Sequence, residues 1–210
     1  MKNYIKKLWS DKPLLVSIAF SFLLLVMAFV VNYFANQYAT VKISNPVTDI
    51  ILSNTKAIDV DGFFIYGPLV FWIIFVIFLV TKPKWIPFTI SSVALFVIVR
   101  DAFICMTHLG PFPTAGNVDW LGPMRFFFSG GDLFFSGHTG IPYLMALVFW
   151  DNKIVRYICI GVAVIFGVVV LLGHFHYTID VFAAFFITYS IYVIATKFFK
   201  KYLAMFNEAD

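Results

Sequence analysis

The chain has 210 residues, of which 61% are hydrophobic, 20% aromatic and only 12% charged. A soluble domain of this length carries about a quarter charged residues, so the composition excludes that class and indicates an integral membrane protein. The formal net charge is +4, but the basic residues lie between apolar runs and form no long stripe, so we expect no nucleic-acid partner.

Six apolar runs follow one another along the chain, each long enough to cross a bilayer as a helix. The predicted spans cover about residues 14–35, 63–81, 86–107, 134–150, 154–173 and 177–199. The first run is too long for a signal peptide, whose apolar region has about 7–15 residues, so we interpret it as an uncleaved anchor. The runs do not alternate as barrel strands do, and helices pair their own backbone groups in lipid. We therefore expect one all-α catalytic domain over residues 1–210, a bundle of six transmembrane helices.

The distribution of basic residues predicts the orientation of this bundle. Eleven of the 15 lysines and arginines fall in the two tails and in the alternate connections on one side. Because cytoplasmic loops are enriched in lysine and arginine, we expect both termini in the cytoplasm.

Two polar stretches interrupt the apolar pattern. They read "GGDLFFSGHT" at 130–139 and "HFHYTID" at 174–180. In the predicted topology both stretches, and His108 after the third span, lie on the outer side of the membrane. Three separate segments thus bring histidines and carboxylates to one face, which predicts an active site on the extracytoplasmic side.

The residues of these stretches suit chemistry at phosphorus. His176 and Asp180 are spaced i, i+4, so the carboxylate can orient the imidazole as a nucleophile or base. His138 and His176 each stand near a predicted helix start, where free N–H groups favour an anion. Glycines at 130, 131 and 137 would let the backbone approach a ligand closely. Arg125, in the outer loop, is a further positive group for a phosphate.

Several of these residues have plainer interpretations that the sequence leaves open. Asp132 could cap a helix, and His108 and His174 could be interfacial side chains. Arg100 and Asp101 lie inside the third span, where they could pair within the bundle or Arg100 could reach a phosphate. The H-x-H-x3-D stretch from His174 could bind zinc, but spacings typical of zinc hydrolases are absent, so we expect no metal.

The two polar stretches resemble the signature motifs of the sphingomyelin synthase family, a branch of the type 2 phosphatidic acid phosphatase (PAP2) superfamily. The first signature, C-G-D-x3-S-G-H-T, is matched from Gly131 to Thr139, with Gly130 in place of the cysteine. The second, H-Y-T-x-D-V, is matched from His176 to Val181. The stretches at 100–113 and 45–49 are similar to two further family segments, although Gly110 replaces a proline.

The resemblance implies a catalytic triad of His138, His176 and Asp180. His176 would attack the lipid phosphorus and form a phosphohistidine, Asp180 would orient it, and His138 would protonate the departing diacylglycerol oxygen. The auxiliary or phosphate-binding residues that we predict are Asp132, His108, Arg100, Ser136, Gly137 and Tyr177. We expect no cofactor.

The sequence thus predicts a lipid phosphotransferase or phosphatase whose partners are membrane lipids. A phospholipid would donate its phosphoryl headgroup to a lipid alcohol such as ceramide, or to water. An alternative is a lipid phosphate phosphatase acting on phosphatidic acid or polyprenyl phosphates, although Val170 stands where the broader phosphatase pattern has an arginine. A proton-coupled transporter, which Arg100 and Asp101 would suit, belongs to a different class. The polar groups cluster at one face, which disfavours a path across the bilayer.

Overall fold

The computed structural model describes residues 11–116 and 131–208, and within these ranges every regular element is helical. The α-helices are α1 (Lys12–Val41), α2 (Asp61–Val80), α3 (Ile86–Met106), α4 (Gly137–Val148), α5 (Lys153–Leu172), α6 (Thr178–Phe198) and α7 (Lys200–Asn207). Short 3-10 turns lie at Leu52–Asn54 and Pro83–Trp85. The all-α prediction therefore holds for the part of the chain that the structure describes.

In the described part of the chain, five helical stretches are long and apolar enough to cross a membrane, as expected for an integral membrane protein. They are Lys12–Val41, Asp61–Val80, Pro83–Met106, Lys153–Leu172 and Thr178–Phe198. The predicted fourth span, residues 134–150, is instead the 12-residue helix α4. Its length is about 18 Å, well short of a hydrocarbon core of about 30 Å. Within the described residues, the structure thus supports five full-length spans, with the shorter helix α4 in place of the predicted fourth.

The short helix α4 lies at the centre of the bundle. It begins after Ser136, whose side chain accepts a hydrogen bond from the Thr139 N–H at 3.4 Å, and Leu144 and Met145 are completely buried. A Cβ at Gly140 would lie 2.7 Å from the Phe96 ring and 2.9 Å from Thr188 Oγ1. Only glycine therefore permits this close approach of α4 to α3 and α6.

Helices α1 and α3 run in the same direction side by side. Ala28 of α1 packs in one cluster with Ala94 and Val97 of α3, and one turn further along both helices Asn32 donates a hydrogen bond to Asp101. At the end of the bundle where α3 begins, Lys84 pairs with Glu208 at 2.9 Å. The opposite end carries the loops around His108 and His174, so the sequence segments with predicted chemistry lie at that end.

Candidate active site

Arg100 fixes the loop that precedes α4. Its Nε donates to the Phe135 carbonyl at 2.8 Å, its Nη2 to the Asp132 carbonyl at 2.6 Å, and its Nη1 to Asp132 Oδ2 at 3.2 Å. A Cβ at Gly137 would lie 3.5 Å from Arg100 Nε, so the guanidinium is beside the first turn of α4. Three of its five N–H groups are used in this way, and two remain for a ligand.

His138 is held by a backbone carbonyl of α2. Its Nε2 lies 3.0 Å from the Phe64 carbonyl oxygen, and its ring stacks on the Phe64 ring at a centroid distance of 4.2 Å. In a regular helix that carbonyl would accept from the N–H four residues later, but position 68 is a proline inside α2 and has no N–H. Because a carbonyl only accepts, Nε2 carries the hydrogen and Nδ1 keeps the free lone pair.

His176 and Asp180 meet at the start of α6. The distance from His176 Nδ1 to Asp180 Oδ2 is 3.5 Å, and both side chains are almost completely buried. Their contact lacks hydrogen-bond geometry, and Asp180 Oδ2 accepts from the Tyr177 N–H at 2.8 Å in a capping box. The spacing prediction thus gives the right neighbours, while Asp180 also stabilises the first turn of α6.

The two histidine rings face one another across a short gap. The centroid of the His138 ring lies 6.3 Å from that of His176. Burial raises the pKa of the Asp132 carboxyl, although the nearby Arg100 and then His176 oppose this shift. Two imidazoles, a guanidinium and two carboxylates, from three helices and two loops, therefore surround one point. The predicted residues His138, His176, Asp180, Asp132 and Arg100 come together, and Gly137 lies beside them.

The first turn of α6 is not a free anion site. Asp49, in the loop after α1, accepts from the Thr178 N–H and from Thr178 Oγ1, each at 2.7 Å. Partial burial opposes ionisation of Asp49, but hydrogen bonds from Leu52, Thr178 and Ile51 hold the pKa of this carboxyl below its ordinary value. At α4, by contrast, the structure shows no acceptor within the described residues for the N–H groups of Gly137 and His138. Asp49 therefore already occupies the start of α6, whereas the start of α4 can offer two N–H groups to a phosphate.

Other predicted site residues form hydrogen bonds in the loops. The Tyr177 hydroxyl donates to the Gly110 carbonyl at 2.8 Å and accepts from the Val47 N–H, so it joins two loops. The His174 ring nitrogens lie 3.2 Å from Thr55 Oγ1 and 2.6 Å from Thr114 Oγ1. Ser136 caps α4.

His108 packs edge-on against Tyr38 and does not line the cavity described below. A Cβ at Gly131 would lie 2.8 Å from the Ala39 carbonyl carbon, so Gly131 permits contact with α1 rather than with a ligand. Gly130 and Arg125 lie outside the described residues.

A cavity of about 610 Å³ begins at this polar cluster and runs along the bundle. Arg100, Asp132, His138 and His176 line its polar end, and apolar side chains of α1, α2 and α3 line most of the remainder. It extends to Leu79 and Ile86, near the connection between α2 and α3. A pocket of this size with few polar groups suits an apolar ligand whose polar end is fixed in one place.

The cavity opens sideways between α1 and α2. Several of its lining side chains on these two helices are about half exposed, namely Phe22, Phe29, Leu69, Val76 and Val80. These positions face outward on helices that are apolar enough to lie in lipid. The geometry therefore suits a molecule that reaches the polar cluster from within a bilayer.

A metal site receives no support from the arrangement of side chains. Within residues 11–116 and 131–208, no three histidine, cysteine, aspartate or glutamate side chains come together as a metal site requires. His174, which sequence spacing offered as a ligand, directs both ring nitrogens to threonine hydroxyls.

Sequence reasoning missed two groups at this site, the Phe64 carbonyl and Asp49. The proline four residues after Phe64 was an available signal for the first, because it removes the N–H donor that this carbonyl would have in a regular helix. For Asp49, the weak similarity at 45–49 marked the segment but not its contact with α6.

The fold and the cluster define an α-helical membrane protein with a histidine- and arginine-lined site at the end of an apolar cavity. Residues 129–197 match the family described as PAP2 superfamily C-terminal. The matched segment covers α4, α5 and α6 and contains His138, His176 and Asp180. Members of the PAP2 superfamily are phosphatases or phosphotransferases, so the match supports an enzyme of this kind. Searches of curated proteins and of solved structures found no match.

Proposed function

We propose that this protein is a membrane enzyme that cleaves or transfers the phosphoryl headgroup of a phospholipid through a phosphohistidine, as sphingomyelin synthases do. The observation that carries the proposal is the convergence of His138, His176 and Arg100 at the polar end of an otherwise apolar, laterally open cavity. In such a cavity a lipid keeps its tails in an apolar environment while its phosphate meets the cluster. The rest of the lining offers few polar groups, which favours an enzyme over a transporter.

His176 is the nucleophile in this proposal. Its Nδ1 faces Asp180, so Nε2 is the nitrogen that attacks phosphorus, and the Asp180 carboxylate balances the positive charge that develops on the ring. The bond from phosphorus to the diacylglycerol oxygen breaks. His138 enters this step with a second proton, taken up from solvent at Nδ1, and delivers it to that oxygen, while its Nε2–H stays engaged by the Phe64 carbonyl. The lone pair that returns to Nδ1 makes His138 a base.

The second half of the reaction reverses these roles. His138 removes a proton from the hydroxyl of the acceptor, whose oxygen attacks phosphorus, and the bond from phosphorus to His176 breaks. A lipid alcohol such as ceramide would give transfer, and water would give hydrolysis. The two free N–H groups of Arg100 and those of Gly137 and His138 would stabilise the charge on the phosphoryl oxygens.

The test is incubation of the purified protein with headgroup-labelled phosphatidylcholine, phosphatidylethanolamine and phosphatidic acid, with and without ceramide, in excess EDTA. We expect release or transfer of one headgroup without an added metal. Free phosphate from phosphatidic acid alone would favour the lipid phosphate phosphatase. Activity that EDTA removes and one divalent ion restores would contradict the metal-free mechanism.

Variants of the triad complete the test. His138→Ala and His176→Ala should each lower kcat by about 10³-fold or more, because the members of such a unit act together. Asp180→Asn should keep more activity, since an amide preserves part of the packing. Asp151→Asn, a carboxylate replacement in the exposed turn before α5, is the matched control. A His176→Ala protein with most of its activity would exclude the covalent intermediate.

A further inference from the structure

Asn32 is a polar side chain on the α1 wall of the cavity. The other lining residues of α1, Phe22, Leu25 and Phe29, are apolar. Asn32 is only 8% exposed, and its Nδ2 donates to Asp101 Oδ1 at 2.7 Å. Burying an amide on a cavity wall that otherwise suits lipid tails is unfavourable in free energy unless its N–H and C=O groups form hydrogen bonds.

The contacts of Asn32 fix the orientation of its amide. Its nitrogen faces the Asp101 carboxylate, and its oxygen accepts from Asn36 Nδ2 at 3.3 Å. An amide nitrogen carries two hydrogens and the oxygen two lone pairs, so these contacts leave one N–H and one lone pair. Asp101, with Oδ2 buried and unpartnered within the described residues, holds the amide in place from the side of α3.

The position of Asn32 relates it to the phosphate end of the cavity. It bonds to Asp101, the residue next to Arg100, and so lies at the same level of α3 as the guanidinium. A phospholipid with its phosphate at Arg100 has its first acyl carbonyl a few bonds away, at the start of the tails. A polyprenyl phosphate has only hydrocarbon there.

We propose that Asn32, oriented by Asp101, is a subsite that donates its remaining N–H to the acyl carbonyl of the lipid substrate. This inference rests on the proposed function and narrows its substrate class to acyl lipids, in which an ester or an amide supplies the carbonyl. A site built around a hydrogen bond selects against analogues that lack the partner, because the buried donor is then left unpaired.

The experiment compares diacyl and dialkyl forms of phosphatidylcholine and of phosphatidic acid, which differ only in the carbonyl groups. Wild-type protein should turn over the diacyl form with a kcat/KM about 3- to 10-fold higher, the effect of one neutral hydrogen bond. Asn32→Leu should remove this preference by losing activity on the diacyl form alone. Ser21→Ala removes a buried polar group of α1 outside the cavity lining and should keep the preference for diacyl lipids.

Two further arms define the outcome. Ceramide 1-phosphate and sphingomyelin, which carry an amide carbonyl, show whether Asn32→Leu affects esters, amides or both. Equal wild-type activity on diacyl and dialkyl lipids would overturn the subsite without needing any variant, and so would an equal loss on both forms in Asn32→Leu. Wild-type protein that turns over none of these lipids would instead refute the proposed function itself.

Discussion

Arg100 combines two tasks in one side chain. Its three hydrogen bonds within the described residues hold the loop before α4, and its two remaining N–H groups are available beside His138. Lysine has a single nitrogen and cannot reach a carboxylate and two carbonyls in this geometry at once. The residue is therefore both a structural tie and the principal positive charge on the described cavity wall.

Replacement of Arg100 should lower activity far more than replacement of an arginine at the surface. Arg100→Ala should lower kcat/KM by about 10²- to 10³-fold and Arg100→Lys by about tenfold or more, because charge remains but the fork of donors is lost. Arg156→Lys, on the exposed start of α5, is the matched control. Activity of Arg100→Lys equal to the wild type would show that the guanidinium geometry is not required. From its place in the predicted outer loop, we expect Arg125 to tolerate replacement better than Arg100.

At this scale the sequence predicted which side chains come together but not the groups that hold them in place. The side chains that meet at the cavity, His138, His176, Asp180, Asp132 and Arg100, were all recognisable from motif and spacing. The Phe64 carbonyl was not, because a backbone group has no residue type that marks it. Tyr177 belongs to the motif, yet its hydroxyl joins loops, since its direction depends on the fold around it.

At the scale of elements, the proline within α2 connects helix geometry to the site. Pro68 has no N–H to donate to the Phe64 carbonyl, and His138 Nε2 lies 3.0 Å from that oxygen. Proline inside a helix destabilises it by about 3 kcal/mol or more, so the presence of Pro68 near a candidate catalytic histidine calls for a compensating role. The fixed tautomer of His138 provides one.

Pro68→Ala tests this connection. Alanine supplies an N–H that can bond to the Phe64 carbonyl within the helix and compete with His138. We expect an unchanged or higher Tm together with a kcat about 3- to 10-fold lower, the effect of weakening one hydrogen bond. Leu69→Ala, its neighbour on the cavity wall, controls for altered lining and should act mainly on KM. A lower Tm with unchanged kcat would contradict the proposed role of Pro68.

The loop after α1 acts as an external cap on α6. Asp49 receives the Thr178 N–H and hydroxyl, and it therefore holds the turn on which His176 and Asp180 stand. Asp49→Asn should lower both Tm and activity, because an amide offers only one acceptor oxygen. Asp59→Asn, in the same loop but bonded to the start of α2, is the matched control and should have little effect.

The acid dependence of stability gives an independent measurement of Asp49. Its pKa is lower in the folded protein than its ordinary value. The folded state therefore gains stability above the unfolded pKa, and this gain is lost as pH falls through the folded pKa. The two Tm curves should run parallel near neutral pH, and as the pH falls through and below the ordinary value of 3.8 the wild-type Tm should fall more steeply than that of Asp49→Asn. Curves that stay parallel at acidic pH would show that the carboxylate makes no net contribution.

For the whole molecule, hydropathy predicted five helices to within a few residues at most ends, because long apolar runs have few alternatives in lipid. Helix α1 continues to Val41, beyond the predicted end at 35, since Asn36 and Ala39 are buried against the bundle. Helix α4 is shorter than predicted because Ser136 caps it and Arg100 holds the apolar residues before it. Composition cannot report such tertiary contacts.

The orientation of the whole bundle remains a prediction with a direct test. The distribution of lysine and arginine predicts that the site opens to the extracytoplasmic leaflet. A histidine-modifying reagent that does not cross membranes should therefore block activity when added outside intact cells, and a bound substrate analogue should protect. Inhibition only after the reagent is admitted to the cytoplasm would invert the topology.

The shortness of α4 has a consequence for the surrounding lipid. Its far end packs through Phe149 onto Trp85 and Phe206, at the end of the bundle where α3 begins. A helix of about 18 Å that starts from that level ends about 12 Å below the far surface of a 30 Å core. The reacting phosphate must then be pulled beneath the plane of its neighbours' headgroups. Thinner bilayers shorten this descent, so turnover in vesicles should rise as the acyl chains of the host lipid are shortened.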